Sequence, residues 1–412
     1  MASVPRTAPA EVTTGAQPAG VGSSRRISLA VFLSGLVVFA LLYQPQVLLP
    51  ELARVFAVGP TGATWAVSAA TAGLALGLLV LGPVSDRRGR TGILRGGLLV
   101  SVLLAAALAV VPNWPTLLVL RAGQGFALAA LPAVAVAYLR EELPGPRSAR
   151  AVGLYVGGTA LGGLSGRVLG GLLDELGGWR VASAGVTALA AVAVAAVWVL
   201  LPAARGFRPV PPDPQPGRHL LAAFTDPVLV GLYAVAALLM AGFVAVYNAA
   251  TFRLADPPFD LSPSIAGLVF LAYLLGSLSS PLAGALAERW SVRSVVPLAV
   301  LVTLGGLTLT LAAPLPLFVT GICLLTLGFF AAHGVASSWV GARAARSGRA
   351  VGQAASQYSF WYYVGSSVGG AGAGHAWAAG GWPAVVVLAG ATTAAALVLT
   401  VALGRTSVLP GR

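Results

Sequence analysis

The sequence predicts an all-α membrane protein whose 12 transmembrane helices form two pseudo-symmetric six-helix bundles. Composition is the first reason. Of 412 residues, 57% are hydrophobic and 9% charged, whereas a soluble domain carries about a quarter charged residues. Apolar runs of about 20 residues, enough to cross a bilayer as a helix, recur along the chain. The second reason is the placement of basic residues, all 25 of which are Arg. With the N-terminus inside, 20 of them fall in internal segments, against Arg54, Arg180 and Arg253 outside. That is a positive-inside pattern, and it accounts for the net charge of +13 without nucleic acid. The third reason is duplication. The hairpin Gly82-Pro83-Val84-Ser85-Asp86-Arg87-Arg88-Gly89-Arg90 returns 202 residues later, weakened, as Gly284-Ala285-Leu286-Ala287-Glu288-Arg289. Phe39-Ala40-Leu41-Leu42-Tyr43-Gln44 resembles Phe243-Val244-Ala245-Val246-Tyr247-Asn248, and Gly177-Gly178-Trp179 returns as Gly380-Gly381-Trp382. A charged hairpin once per half is expected of a transporter built from parallel repeats, with its cavity between the halves near the midplane.

Taken in order, residues 1–26 are polar and rich in Ala, Thr, Pro and Gly, and predict a disordered cytoplasmic N-terminus. The N-terminal bundle, 27–201, holds spans at 27–50, 62–84, 92–111, 115–139, 150–172 and 179–201. The first is too long for a signal-peptide core and reads as a membrane helix. Residues 202–227 hold Pro202, Pro209, Pro211, Pro212, Pro214 and Pro216 and read as a cytoplasmic linker. The C-terminal bundle, 228–403, holds spans at 228–251, 263–286, 294–313, 315–340, 352–375 and 382–403, and 404–412 forms a cytoplasmic tail. Turn signals such as Val58-Gly59-Pro60, Pro112-Asn113-Trp114-Pro115 and Pro314-Leu315-Pro316 separate the spans.

Over nearly its whole length the chain resembles the major facilitator superfamily (MFS) of transporters. Asp86 with its flanking Gly and Arg residues is similar to the loop 2–3 motif, and Arg121-Ala122-Gly123-Gln124-Gly125 to the family's Arg-x-x-Gln-Gly motif in helix 4. Gly328-Phe329-Phe330-Ala331-Ala332-His333-Gly334-Val335-Ala336-Ser337-Ser338-Trp339 and Tyr362-Tyr363-Val364-Gly365-Ser366-Ser367 resemble the YnfM-like branch of bacterial inner-membrane transporters. The resemblance implies the MFS fold and a single-subunit, monomeric, alternating-access carrier in the inner membrane, most often a proton-coupled exporter.

It further implies a conformational latch. Asp86 would face the start of helix 11, near Gly348 to Gln353, and Arg90 would reach Glu141 or Glu142, together holding an outward-open state. Gly82, Arg87 and Gly89 complete the motif, and Glu288 and Arg289 form its weaker counterpart. The plain alternative is a hairpin charged only to fix orientation.

Arg121 lies about six residues, roughly 9 Å, into helix 4. An intramembrane Arg normally faces a cavity or a partner, so it reads either as a coupling or substrate residue or as a structural group paired with carbonyls. Arg167, at similar depth in helix 5, reads either as snorkelling or as a second cavity cation. His333 can titrate in the physiological range or simply be hydrogen-bonded. Tyr43, Gln44, Gln46, Gln124, Tyr247, Asn248, Trp339, Gln357, Tyr358, Trp361 and Tyr362 are the expected cavity lining. Small-residue stripes on helices 2, 5, 8 and 11 predict close helix contact, and the resemblance implies helix 5 against 8 and helix 2 against 11.

All 12 acids lie in loops or at helix ends. Coupling would therefore rest on Asp86, Arg121 or His333, or be absent, and an electropositive cavity favours neutral or anionic solutes. Two readings stay open: proton-coupled efflux (antiport) of a small organic solute, and an uncoupled facilitator or importer. A non-transporting receptor is disfavoured. Nothing marks an enzyme, cofactor or metal site, and the lone Cys323 excludes an intrachain disulfide.

Overall fold

Two of the ten apolar helical stretches, Pro146–Leu200 and Val351–Arg405, run for 55 residues each. At 1.5 Å per residue each would be about 82 Å long, far beyond a hydrocarbon core of about 30 Å. Each breaks in the middle at a glycine pair. Gly178 has φ 77° and Gly381 φ 59°, in the left-handed region where a side chain costs about 1–2 kcal/mol. A computed structural model describes residues 21–143, 145–207, 209 and 224–405, with no strand among them. Among the described residues, 12 segments thus cross the membrane. These are α1 (Ser23–Gln46), α2 (Gly59–Arg88), α3 (Arg90–Ala109), α4 (Trp114–Glu142), α5 (146–176), α6 (179–200), α7 (Pro227–Ala255), α8 (Pro263–Trp290), α9 (Val292–Leu309), α10 (Leu315–Arg346), α11 (351–379) and α12 (382–405).

Helix begins at Val21, so residues 21–26 belong to the first helix rather than to a disordered tail. Residues 1–20, most of the linker and the tail from 406 lie outside the described residues. The α1 end is extended by a buried 3-10 turn at Gln44–Gln46, which carries the glutamines into the interior.

The glycine stripes set which helices touch, and the structure adds a contact to those expected. Gly158, Gly162 and Gly166 of α5 face the backbone of Phe32, Leu36 and Ala40 on α1, and the expected α5–α8 contact is made further along, by Gly171 against Pro263 and Ser264. A methyl group at Gly162 would overlap the Leu36 carbonyl. The second half repeats the arrangement, with Gly365 and Gly369 of α11 against Ala237 and Ala241 of α7. Gly73 and Gly77 of α2 pack on α4, and Gly276 of α8 packs on Phe330 of α10. The expected α2–α11 contact is made by Gly370 and Gly374 against Ser68, Pro60 and Thr64. Alternate faces of one stripe-bearing helix thus hold it to its own half and to the other.

At the arginine-poor face the halves show a shared aromatic device. Phe56 lies 5.4 Å from both Trp114 and Trp179, while Phe318 lies 5.5 Å from Phe259 and 5.2 Å from Trp382. Each trio seals the turn where a glycine pair reverses the chain.

Candidate functional site

The hydrogen bonds that join the halves, among the described residues, lie toward the arginine-poor face. Ser367 of α11 donates to Ser68 O at 2.8 Å, and Thr61 of α2 to Gly374 O at 3.2 Å. Ser264 of α8 donates to Glu175 at the end of α5, from its hydroxyl at 2.6 Å and its backbone N–H at 3.2 Å. At the centre sits Arg167, fully buried. Gly166 lets α5 close on α1 and so brings Arg167 to the glutamine turn. Its Nε donates to Gln46 Oε1 at 2.7 Å, Nη1 to Gly163 O at 2.6 Å and Nη2 to the Tyr273 hydroxyl at 3.3 Å. Gln46 Nε2 donates to Asn248 Oδ1 at 2.6 Å, which ties α1 to α7. The guanidinium carbon lies 4.4 Å from the Tyr43 ring centre and 4.6 Å from those of Phe270 and Tyr273. Three ring faces therefore stand where a carboxylate would be expected. Desolvated cation–π contacts contribute about 2 kcal/mol each, which offsets part of the cost of burying the charge. Arg167 does not snorkel: it is buried and bridges the two halves through Gln46 and Tyr273.

Beside Arg167 the C-terminal half contributes an aromatic wall. Phe243 stacks on Phe329 at 3.9 Å, and the His333 ring lies 4.7 Å from Tyr362 and 5.5 Å from Tyr358. His333 Nδ1 meets the Tyr358 hydroxyl at 3.0 Å, and that hydroxyl donates to His333 O at 3.3 Å. The Tyr358 hydroxyl thus engages Nδ1, and no hydrogen bond from Nε2 is formed among the described residues. Tyr247 turns its hydroxyl to Thr326 at 2.6 Å, and Gln357 is buried on α11.

Other expected lining residues lie elsewhere. Trp361 packs against Phe360 and Phe224 at 5.4 and 6.4 Å, away from His333, and Trp339 is buried with its indole N–H unpartnered. Gln44 and Gln124 join Arg121 in a separate small cavity of the N-terminal half, between α1, α3, α4 and α6. Arg121 donates to Ala66 O at 2.8 Å, Leu41 O at 3.0 Å, Leu42 O at 2.6 Å and Gln124 Oε1. Of the two readings of Arg121, this geometry is the pairing with carbonyls.

At the arginine-rich face Arg90, buried, is clasped by Ser85 at 2.8 Å, by Asp86, and by Glu141 through Nη2 at 2.8 Å. Glu141 is thus its α4 partner. Glu142 instead accepts from Arg205 N and Gly206 N, both at 2.7 Å, and holds the start of the linker. Asp86 bonds to Arg90 and not to residues 348–353, so the expected contact with α11 is not formed. A side-chain carbon at Gly82 would meet nothing within 4 Å, so no helix lies against that surface. Arg87 is exposed. Gly89 turns the hairpin with φ 103°, and Ser291 turns the second one with φ 127°. No clasp of the Arg90 kind forms at Glu288 among the described residues.

The second half is clipped at a residue that sequence reasoning passed over. Asp226 caps α7, accepting from Val228 N at 2.9 Å, and takes Arg343 at 2.8 Å and Arg349 at 3.1 Å. Burial alone would raise its carboxyl. The Arg343 bond and two backbone N–H groups outweigh that and hold it below the ordinary 3.8. Asp226-Pro227 is a legible cap signal. Its arginines, more than 110 residues away, leave no local trace.

Two six-helix halves joined by a linker, closed on one face and meeting around a buried polar and aromatic centre, define a secondary-transporter fold. The solved structures agree. The D-xylose–proton symporter matches with TM-score 0.73 at 15% identity, covering 94% of this chain and 98% of that one. A bacterial homologue of the human lysosomal transporter Spinster, inward-facing and unoccupied, matches with TM-score 0.71 at 15% identity, covering 93% and 95%. The profile described as Major Facilitator Superfamily matches residues 27–256. Inner membrane transport protein YnfM of Escherichia coli (strain K12) is 38% identical over 93% of this chain and 91% of its own. The uncharacterized MFS-type transporter YybF of Bacillus subtilis (strain 168) is 36% identical over 88% and 89%. The chain belongs to the major facilitator superfamily and is a multi-pass membrane transporter.

Proposed function

We propose that the protein exports a small neutral or anionic organic solute across the bacterial inner membrane in exchange for protons, as a monomer with both termini in the cytoplasm. The units that rock are 27–201 and 228–403. The solute sits between the His333–Tyr358–Tyr362 wall and the Arg167 plug, and the Asp86 latch to α11 forms when the Arg167 side opens. The observation that carries this is His333: its Nδ1 is engaged by Tyr358, so Nε2 is the ring nitrogen offered to a solute or a proton. One observation favours a second reading, an uncoupled facilitator: no carboxylate takes part in the hydrogen bonds of this centre among the described residues.

Purified protein in proteoliposomes separates the two. Candidate sugars, organic acids and aromatic amphiphiles are screened by counterflow, and the best is tested for accumulation with and without a pH gradient. The exporter reading expects gradient-driven accumulation that His333→Gln loses while keeping counterflow. Equal transport with and without the gradient would establish the facilitator.

A further inference from the structure

We infer that the cavity beside Arg121, apart from the passage between the halves, is a binding site for one small inorganic anion of the chloride type. The cavity measures about 30 Å³, and its walls are mostly apolar, with Arg121, Gln44, Gln124, Ser183 and Thr187 as the polar exceptions. Arg121 is 2% exposed and Gln44 6%. A guanidinium has five N–H donors. Four are spent on Ala66 O, Leu41 O, Gln124 Oε1 and Leu42 O, which leaves one hydrogen on Nη2. Every acceptor is a neutral dipole, so the positive charge stands without a counter-ion in an apolar bundle, where such a charge is expensive. Gln44 Nε2 is buried with no partner.

The Thr187 hydroxyl is spent on Ser183 O at 2.6 Å, whereas no bond from the Ser183 hydroxyl is formed among the described residues. What the cavity offers is therefore a donor from Arg121, the Gln44 amide and the Ser183 hydroxyl, around an unbalanced cation. Water could find acceptors in the Ser183 hydroxyl and the Gln44 carbonyl, but it would leave the Arg121 charge unbalanced. A monatomic anion needs donors alone and neutralises the charge. A water occupies about 10–15 Å³ on this measure, so the space admits one small bare ion or two waters and excludes an organic carboxylate.

The test uses the purified full-length protein and chloride or bromide as the only probe. Its thermal midpoint is titrated with sodium chloride and sodium bromide against sodium gluconate at constant ionic strength. A saturable rise with both halides and none with gluconate is expected. Gln44→Leu should weaken the half-saturating halide concentration by about tenfold, as befits one hydrogen bond to a charged group. Ser183→Ala, a milder change that leaves the cation and its carbonyls in place, should weaken it less. Identical midpoints in halide and gluconate overturn the proposal. So does a halide effect that persists unchanged in both variants, because it places the ion elsewhere.

Discussion

The arginine-rich ends of the two halves are held together by clips of opposite polarity. In the N-terminal half the buried member is a cation: the Arg90 side chain is 7% exposed, while its acids Asp86 and Glu141 are 42% and 26% exposed. In the C-terminal half the buried member is an acid: the Asp226 side chain is 1% exposed, with Arg343 and Arg349 at 15% and 27%. The duplicated scaffold needs its helix ends tied, and either charge can stand at the centre of the knot. The exposed partner differs in consequence. Asp86, half in solvent, is the member that the proposed latch would have exchange Arg90 for α11. Asp226, capped and enclosed, is a fixed rivet.

The largest expected effects break this comparison directly. Asp86→Asn should abolish or strongly reduce transport in proteoliposomes while moving the melting free energy by about 1 kcal/mol or less, as for a solvent-screened pair. Asp226→Ala should do the reverse, costing about 3 kcal/mol because two arginines lose a buried partner. Denaturation in detergent and initial transport rates read the two apart, and similar behaviour of both variants would end the distinction.

Arg121 and Arg167 sharpen it further. Because Arg121 binds carbonyls of α1 and α2, Arg121→Ala should lower stability and transport together, and Arg121→Lys should keep the fold but recover only part, since an ammonium cannot reach three carbonyls as the planar fork does. Arg167→Lys should likewise keep the protein folded but loosen the closed face. Cysteine accessibility at a position between the halves would then rise toward reagents added on the arginine-poor side.

A pH titration of stability tests the rivet alone. The folded-state pKa of Asp226 lies below 3.8, so its contribution is full above about pH 4 and is lost as pH falls through the folded value. Asp226→Asn should flatten that acid limb of the melting curve. Unchanged acid sensitivity would show that other carboxyls carry it.

The smallest effects concern what the halves share. Gly178→Ala and Gly381→Ala should cost about 1–2 kcal/mol each, nearly equally, because both residues sit at positive φ in equivalent turns. Glu288→Gln should move neither stability nor transport beyond about 0.5 kcal/mol.

Much of the fold was legible because it rests on local signals: span length, arginine placement, and turns spelled by Gly-Gly-Trp. A motif pointed Arg90 to Glu141 or Glu142 and left the choice between them open. The rest depends on which surfaces meet. Periodicity placed the α5 glycines on one face but could not say that α1 covers it. Arg121 and Arg167 look alike in sequence, each a lone cation in an apolar run. One turned out to be wrapped in backbone carbonyls and the other in aromatic rings, a difference made by neighbours 50 to 120 residues away. Asp226 was visible as a helix cap, yet its arginines lie at the far end of α10 and just beyond it.

The glycine-pair turns have a practical consequence. On the arginine-poor face α5 passes into α6, and α11 into α12, with two residues between them. Little chain at these two turns is available to a protease, an antibody or an inserted tag. Handles for purification or imaging belong on the opposite face. A binder meant to arrest the carrier from the arginine-poor side would find its grip at the exposed stretches around Arg54 and Pro257, because the two glycine-pair turns offer only helix ends and aromatic rings.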